Sequence, residues 1–137
     1  MIGQTSRFSV TLDGPLPRRP GDARRWVDER CSELSFECAG VDLPLLVSEL
    51  VTNACLHGAD PVTLRLEMSP TWARVEVEDA HPEWPELQWP DEQDTRGRGL
   101  QIVDLLSHVW GTEKTTVGKV VWAEVLMREP LERVGCT

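Results

Sequence analysis

Three polar side chains recur four residues apart in one segment of the chain: Glu49, Asn53 and His57. In an α-helix this spacing places them along one edge of the helix. A carboxylate and a carboxamide one turn apart can hold a hydrated magnesium ion and an attacking oxygen, because Asn offers a neutral oxygen ligand and Glu accepts a proton. The segment is therefore either a magnesium-dependent site or the solvated face of an ordinary helix.

Two further segments carry residues suited to ligand binding. Asp79 directly follows a run of alternating apolar residues, so we expect it at a strand end, where ligand-binding carboxylates are common. The segment 96–100 reads Arg-Gly-Arg-Gly-Leu and leads into a helix. Its glycines let backbone N–H groups approach phosphate oxygens, while the helix N-terminus and the arginines add positive charge. The alternatives are a turn-forming Asp79 and a flexible hinge at the glycines.

Hydrophobic periodicity predicts the elements that must position these residues. Pro15, Pro17 and Pro20 prevent an early helix, so the first helix is expected from about Asp22. The second helix begins after a plausible N-cap, Asp42, and carries the apolar stripe beside the polar edge. The predicted order is a strand over 7–12, two helices from about 22 and over 42–57, a hairpin over 62–79, a lid over 80–98, a helix over about 100–106, and a hairpin over 109–114 and 119–127.

This order predicts an α+β fold, a two-layer α/β sandwich with a mixed or antiparallel sheet and helices on one face. We expect a single domain over residues 1–137, with its core at 7–127 and a frayed tail at 129–137. The 137 residues are 40% hydrophobic and 27% charged, which suits one folded core.

The net charge excludes some classes of partner. Twenty-three acidic residues against 14 basic ones give a net charge of -9, which disfavours nucleic acid and anionic membranes. No stretch approaches the ~20 apolar residues of a membrane span. Met1 to Val10 does not have the pattern of a secretory leader, so a cytoplasmic location is expected.

The cysteines are predicted to be buried or inert free thiols, because a reducing compartment disfavours disulfides. The sequence contains no Cys-x-x-Cys pair, the spacing that is typical of zinc sites. The four cysteines are Cys31, Cys38, Cys55 and Cys136.

The motifs and their order resemble those of the GHKL, or Bergerat-fold, ATPases, and within them the small anti-sigma-factor serine kinases. The resemblance extends from Phe8 to Leu126. The run Glu49-Leu50-Val51-Thr52-Asn53-Ala54-Cys55-Leu56-His57-Gly58 looks like the family's N-box, and the segments 110–111 and 118–123 resemble its closing strands. The chain departs from the family's Asp-x-Gly-x-Gly adenine box, because His81 and Glu83 stand at the two glycine positions.

The resemblance implies a role for each residue of the candidate site. Asn53 would ligate Mg²⁺, Glu49 would act as the general base or position it, and Asp79 would accept a hydrogen bond from the adenine amino group of ATP. The segment Gly97-Arg98-Gly99-Leu100 would bind the phosphates. His57 and Gly118 are further nucleotide-binding candidates.

The resemblance also implies a function and partners. The expected function is an ATP-binding, magnesium-dependent protein serine kinase that sequesters a sigma factor and phosphorylates a small anti-sigma antagonist. Homodimerisation is implied by the resemblance alone. One alternative is a catalytically inert module of the same fold that regulates a partner without turnover. Another is a stand-alone ATP hydrolase.

The predicted lid is strongly acidic. From Glu76 to Asp94, counting both ends, the end of the preceding strand and the lid up to residue 94 together carry eight acidic residues and no Lys or Arg. A triphosphate would be repelled there unless magnesium and the following arginines offset the charge. The acidic residues are either simply solvated or form a docking face for a basic partner. Trp84 and Trp89 either pack the lid on the domain, cover adenine or contact that partner.

Overall fold

The computed structural model describes residues 5–36, 42–82 and 95–127, and within 95–100 only the backbone. In these ranges three α-helices and five strands follow one another, with a short 3-10 helix at Leu16–Arg18. The elements in chain order are β1 (Ser6–Leu12), α1 (Arg19–Leu34), α2 (Leu43–His57), β2 (Val62–Met68), β3 (Trp72–Asp79), α3 (Thr95–Leu106), β4 (Val109–Lys114) and β5 (Lys119–Leu126).

The strands form one antiparallel sheet in the order β1-β2-β3-β5-β4. β3 is the central strand, and its last residue, Asp79, lies opposite Lys119 of β5. Alternate residues of β2 and β3 are buried, as expected for strands with one face against a core. The predicted α+β fold with helices on one face of the sheet is confirmed.

The core lies between this sheet and the helices. α1 packs on α2, α2 packs on β2 and β3, and α3 packs on α2. The apolar stripe of α2 is almost completely buried, and its members are Leu46, Val47, Leu50, Val51 and Ala54. α2 is therefore the central helix of the fold.

The other face of the sheet carries paired charges. Arg65 of β2 binds Glu76 and Glu78 of β3 at 3.2 and 2.9 Å. Arg74 of β3 binds Glu124 of β5 at 2.8 Å, and its guanidinium lies 4.3 Å from the ring centre of Trp122. Opposite charges on neighbouring strands stabilise their pairing.

Two predicted helix starts are wrong by a few residues. α1 begins at Arg19, not Asp22, because Pro20 lies in the first turn, where the missing N–H of proline would have no partner in the helix. α3 begins at Thr95, ahead of the expected end of the lid. Its glycines cost about 1 kcal/mol each in helix propensity, and the packing of Val103, which is 1% exposed, outweighs that cost.

The expectation of free cysteines is wrong for Cys31, which is disulfide-bonded, while Cys55 is free. The partner of Cys31 therefore lies outside the described residues, as do Cys38 and Cys136. Two cysteines can meet in space at any sequence separation, so a search for close spacing could not reveal this bond. Among the described residues no helix is long and apolar enough to cross a membrane.

Candidate functional site

The edge of α2 that carries Glu49 and Asn53 is held firmly in place. On the buried side, Leu50 is 1% exposed and Val47 and Val51 are fully buried. The Nη1 atom of Arg24 in α1 donates a hydrogen bond of 2.8 Å to the hydroxyl of Ser48. Because Ser48 directly precedes Glu49, this bond fixes the helix edge from the side of α1.

Glu49 and Asn53 are half-buried, and among the described residues neither has a side-chain partner. Within the described part of the chain, neither makes a hydrogen bond or an ion pair. Many other carboxylates here are engaged, for example Asp60 by Arg19 and Glu67 by Arg7. A half-buried carboxylate and amide without protein partners are available to a ligand.

Backbone contacts join the end of α2 to the end of β3. The Ala80 N–H donates to the carbonyl oxygen of Ala59 at 2.8 Å. A Cβ on residue 58 would lie 2.6 Å from Cγ of Asp79 and 2.5 Å from the carbonyl oxygen of Ala54, so only glycine fits. This junction places the C-terminal turn of α2, with half-buried His57, beside Asp79.

Asp79 is buried, with 2% of its surface exposed. Its Oδ1 atom accepts hydrogen bonds from the backbone N–H of His81 at 2.8 Å and of Ala59 at 3.4 Å. The same oxygen forms an ion pair of 2.9 Å with Nζ of Lys119. The side chains of Asp79 and Lys119 are 3% and 8% exposed, respectively, so this is an ion pair in the interior.

Gly118 closes the site on the side of β5. A Cβ at this position would overlap the carbonyl oxygen of Asp79 and the backbone of Ala80. The Gly118 N–H donates to the hydroxyl of Thr115 at 3.0 Å, which fixes the turn between β4 and β5. The end of β3 is thus enclosed between two glycines, Gly58 and Gly118.

The predicted phosphate-binding segment, Gly97 to Leu100, lies in the first turns of α3. α3 packs on α2, so the two elements that carry the N-box and this segment are neighbours. The side chain of Arg98 lies outside the described residues, as do Glu83, Trp84 and Trp89 of the predicted lid. The predictions made for these side chains remain predictions.

The donor set of α2 fits a magnesium ion that is shared with phosphates. Within the ranges that the structure describes, no three His, Cys, Asp or Glu side chains cluster to hold a metal by themselves. Mg²⁺ usually keeps several waters and takes one or two protein oxygens together with substrate phosphates. The unengaged amide oxygen of Asn53 satisfies that requirement.

A second polar cluster lies behind α2, at the turn before β2. Arg19 donates to both carboxylate oxygens of Asp60, at 2.6 and 3.3 Å, and to the carbonyl oxygen of Gly14 at 2.8 Å. The hydrogen bond from Arg19 lowers the pKa of Asp60. Burial raises the pKa of the Cys55 thiol, against the opposing effect of Arg19. This cluster connects α1 to the start of β2.

Sequence reasoning missed two residues of the site, Gly58 as a packing position and Lys119 as the partner of Asp79. A signal for Lys119 was present in the sequence. It alternates with Val121, Ala123 and Val125 on the inward face of β5, and a lysine on an apolar face needs a buried partner.

The comparison with known families agrees with this geometry. The chain matches the family model described as the histidine kinase-like ATPase domain over residues 16–125. No curated protein matches the chain. The match spans the elements from α1 through most of β5 and includes Glu49, Asn53, Asp79 and Gly97 to Leu100. The chain therefore belongs to the family of histidine kinase-like ATPase domains, and its role is that of an ATP-binding regulatory domain.

Proposed function

We propose that this chain is a magnesium-dependent protein serine kinase of the anti-sigma type. It binds ATP, transfers the γ-phosphoryl group to a serine of a small antagonist protein, and sequesters a sigma factor. The observation that carries the proposal is the pair of half-buried, unengaged side chains on the edge of α2, Glu49 and Asn53. Both lie on the edge of the central helix, where no other side chain of the described residues competes with a ligand for them.

Each residue of the site has a defined task in this proposal. Asn53 would hold a magnesium ion through its amide oxygen, and a bound magnesium ion would neutralise charge on the phosphates. Glu49 accepts the proton of the incoming serine hydroxyl. Asp79 accepts an N–H of the adenine amino group. Backbone N–H groups of the first turn of α3, around Gly97 and Gly99, bind phosphate oxygens.

Phosphoryl transfer requires positioning and charge neutralisation above all. α2 and β3 supply rigid positioning, because both belong to the core and are joined by the Ala59–Ala80 hydrogen bond. The γ-phosphoryl group passes from ATP to the serine oxygen, ADP leaves, and the serine proton goes to Glu49. His57, at the end of the same helix edge, is proposed to contact the nucleotide.

One observation favours the alternative of an inert regulatory module. Side chains replace the two glycines of the adenine box, and the His81 N–H already occupies Oδ1 of Asp79. Glycine is normally used where backbone approaches a ligand closely. A module of this kind would bind its protein partner without transferring phosphate.

Calorimetric titration with Mg-ATP and Mg-ADP is the first experiment that distinguishes the kinase from the inert module. We expect saturable binding that weakens by about tenfold or more in Asn53→Ala, because a magnesium ligand is lost. Ser32→Ala, an exposed polar position on α1, is the matched control and should bind like the wild type. No binding of either nucleotide at millimolar concentration would contradict the kinase proposal and favour the inert module.

Transfer is tested with Glu49→Gln, which keeps the size of the side chain and removes the proton acceptor. With radiolabelled ATP and a cell extract of the source organism, we expect the wild type to label a small protein on serine. Glu49→Gln should bind ATP normally but label this protein at least about 100-fold more slowly. Equal labelling by both proteins would remove Glu49 from the mechanism.

A further inference from the structure

We propose that Lys119 is a positioning residue that fixes the carboxylate of Asp79 so that only Oδ2 faces the ligand, and that it thereby selects a 6-amino purine over a 6-oxo purine. This inference rests on the proposed nucleotide-binding function of the site. It assigns a task to a buried lysine that the proposed chemistry does not otherwise use.

Oδ1 of Asp79 is fully occupied by protein donors. This oxygen receives Nζ of Lys119 at 2.9 Å and the backbone N–H of His81 at 2.8 Å, with the Ala59 N–H at 3.4 Å. A carboxylate oxygen has about two lone-pair sites. Oδ1 is therefore saturated by the protein and offers no acceptor site to a ligand.

The second carboxylate oxygen, Oδ2, lies beside Gly58. This oxygen lies 2.7 Å from the position that a Cβ on residue 58 would take. Glycine at position 58 therefore avoids a clash with Oδ2. In the described residues each hydrogen bond given to this carboxylate ends on Oδ1, so Oδ2 is the oxygen left for an incoming donor.

Lys119 is the donor that holds the carboxylate of Asp79 most strongly. His81 and Ala59 are backbone donors close in space to Asp79, whereas Lys119 reaches it from the neighbouring strand β5 and carries the only charge among the three donors. Its side chain is 8% exposed, so its hydrogen bond does not compete with bulk water. A charged donor of this kind holds an acceptor more strongly than a neutral one.

Selectivity follows from the chemistry of the oxygen that remains. An ionised carboxylate accepts hydrogen bonds and donates none. A 6-amino purine brings an N–H to Oδ2, but a 6-oxo purine brings a second acceptor to the same place, which is unfavourable. If Lys119 is removed, the carboxylate is no longer fixed by a cation and can turn away from position 6 of the purine, so a 6-oxo group no longer meets an acceptor there.

The test is a calorimetric comparison of ADP and IDP, which differ at position 6, in the presence of Mg²⁺. We expect the wild type to prefer ADP by about tenfold or more. Lys119→Met should reduce this preference to about threefold or less, and Lys119→Arg, which keeps a charged donor, should restore most of it. The thermal midpoint of each variant without nucleotide is measured alongside.

Lys119→Met leaves the Asp79 charge without its partner in the interior, which lowers stability. If this variant does not fold, Lys119→Gln, which keeps a donor but loses the charge, takes its place. A preference for ADP that falls at least threefold in that variant supports the assignment, and an unchanged preference overturns it.

The outcomes separate this inference from the proposed function. If the wild type binds ADP and Lys119→Met shows a lower thermal midpoint with the wild-type ADP-to-IDP ratio, Lys119 is merely structural and the inference is overturned, while the proposed function stands. If the wild type binds neither nucleotide, both are overturned. A lower ratio that Lys119→Arg restores supports the inference.

Discussion

Among the described residues, some polar side chains have their hydrogen-bonding atoms occupied by other protein groups and others do not. Asp79 is saturated at one oxygen by three donors, whereas Glu49 and Asn53 have no partner in the described residues. Because Glu49 and Asn53 are only half-buried, their polar atoms can be reached from solvent and by a ligand. Oδ1 of Asp79 therefore holds the site together, whereas the polar atoms of Glu49 and Asn53 are available to a ligand.

The thiol of Cys55 is predicted to react more slowly than that of an ordinary free cysteine. Burial raises the pKa of its thiol above the ordinary value, and the thiolate is the reactive form. We expect iodoacetamide to alkylate Cys55 with a half-maximal rate at a pH above the value of about 8.5 that is typical of a free cysteine. Peptide mass spectrometry over a pH series measures this midpoint.

The disulfide supplies the control in the same experiment. Cys31 is disulfide-bonded, so it should remain unlabelled until a reductant is added. Rapid labelling of Cys55 at neutral pH would contradict the predicted direction of its pKa.

Site residues that lie close together in the sequence could be predicted from their spacing. The i, i+4 pattern of Glu49 and Asn53 predicts one helix edge, and the structure has both on the edge of α2. The partner of Asp79 could not be found in this way, because Lys119 lies 40 residues away and meets it only through strand register. Long-range pairs of this kind are decided by the fold.

At the scale of elements, the site depends on the junction between α2, β3 and β5. The two glycines at this junction leave no room for a side chain, because a Cβ on Gly58 or Gly118 would overlap backbone atoms. Backbone cannot move aside as a flexible side chain can, so the glycines set the distance between the three elements.

Alanine at either position tests this packing. We expect Gly118→Ala and Gly58→Ala each to lower the free energy of unfolding by about 1–3 kcal/mol, because the added methyl group overpacks the junction. Urea unfolding measures the change.

Gly21 in α1 is the matched control. Its Cβ would lie 3.5 Å from the nearest atom, at the end of the Arg24 side chain. Gly21→Ala should be neutral or raise the free energy of unfolding by up to about 1 kcal/mol, because alanine favours a helix. Equal stability of Gly118→Ala and Gly21→Ala would show that the junction tolerates a side chain.

Element order and strand positions were predictable because alternation and turn residues are local signals. β2, β3, β4 and β5 lie within a residue of their predicted limits. The start of α3 could not be predicted, because glycine and arginine at 96–99 give no helical periodicity. Packing of α3 on α2 decides where this helix begins. Asp42 occupies the predicted N-cap position, but its side chain makes no capping hydrogen bond there.

For the molecule as a whole, the ion pair between Arg19 and Asp60 connects the start of α1 to the turn before β2. The pKa of Asp60 is lowered from its usual 3.8 by the hydrogen bond from Arg19. A lowered pKa in the folded state means that the unfolded chain binds this proton first. The stabilisation is therefore present above pH 3.8 and is lost as the pH falls through the lower folded pKa.

Asp60→Asn is the variant that tests this linkage. Its free energy of unfolding should be lower than that of the wild type at pH 5, and the difference should shrink as the pH falls below the usual carboxyl pKa of 3.8. Parallel curves over this range would contradict the assignment of acid sensitivity to the pair. Asp28→Asn on α1, an exposed aspartate with no side-chain contact among the described residues, is the control and should leave the curve unchanged.

The position of Asp79 at the end of the central strand has a consequence for how a ligand acts on the molecule over time. β3 is paired on both sides, by β2 and β5, and amides in such a strand exchange with solvent only when much of the fold opens. A molecule bound to Asp79 therefore opposes that large-scale opening itself. Nucleotide concentration would then set the lifetime of the protein against proteases, in addition to its activity.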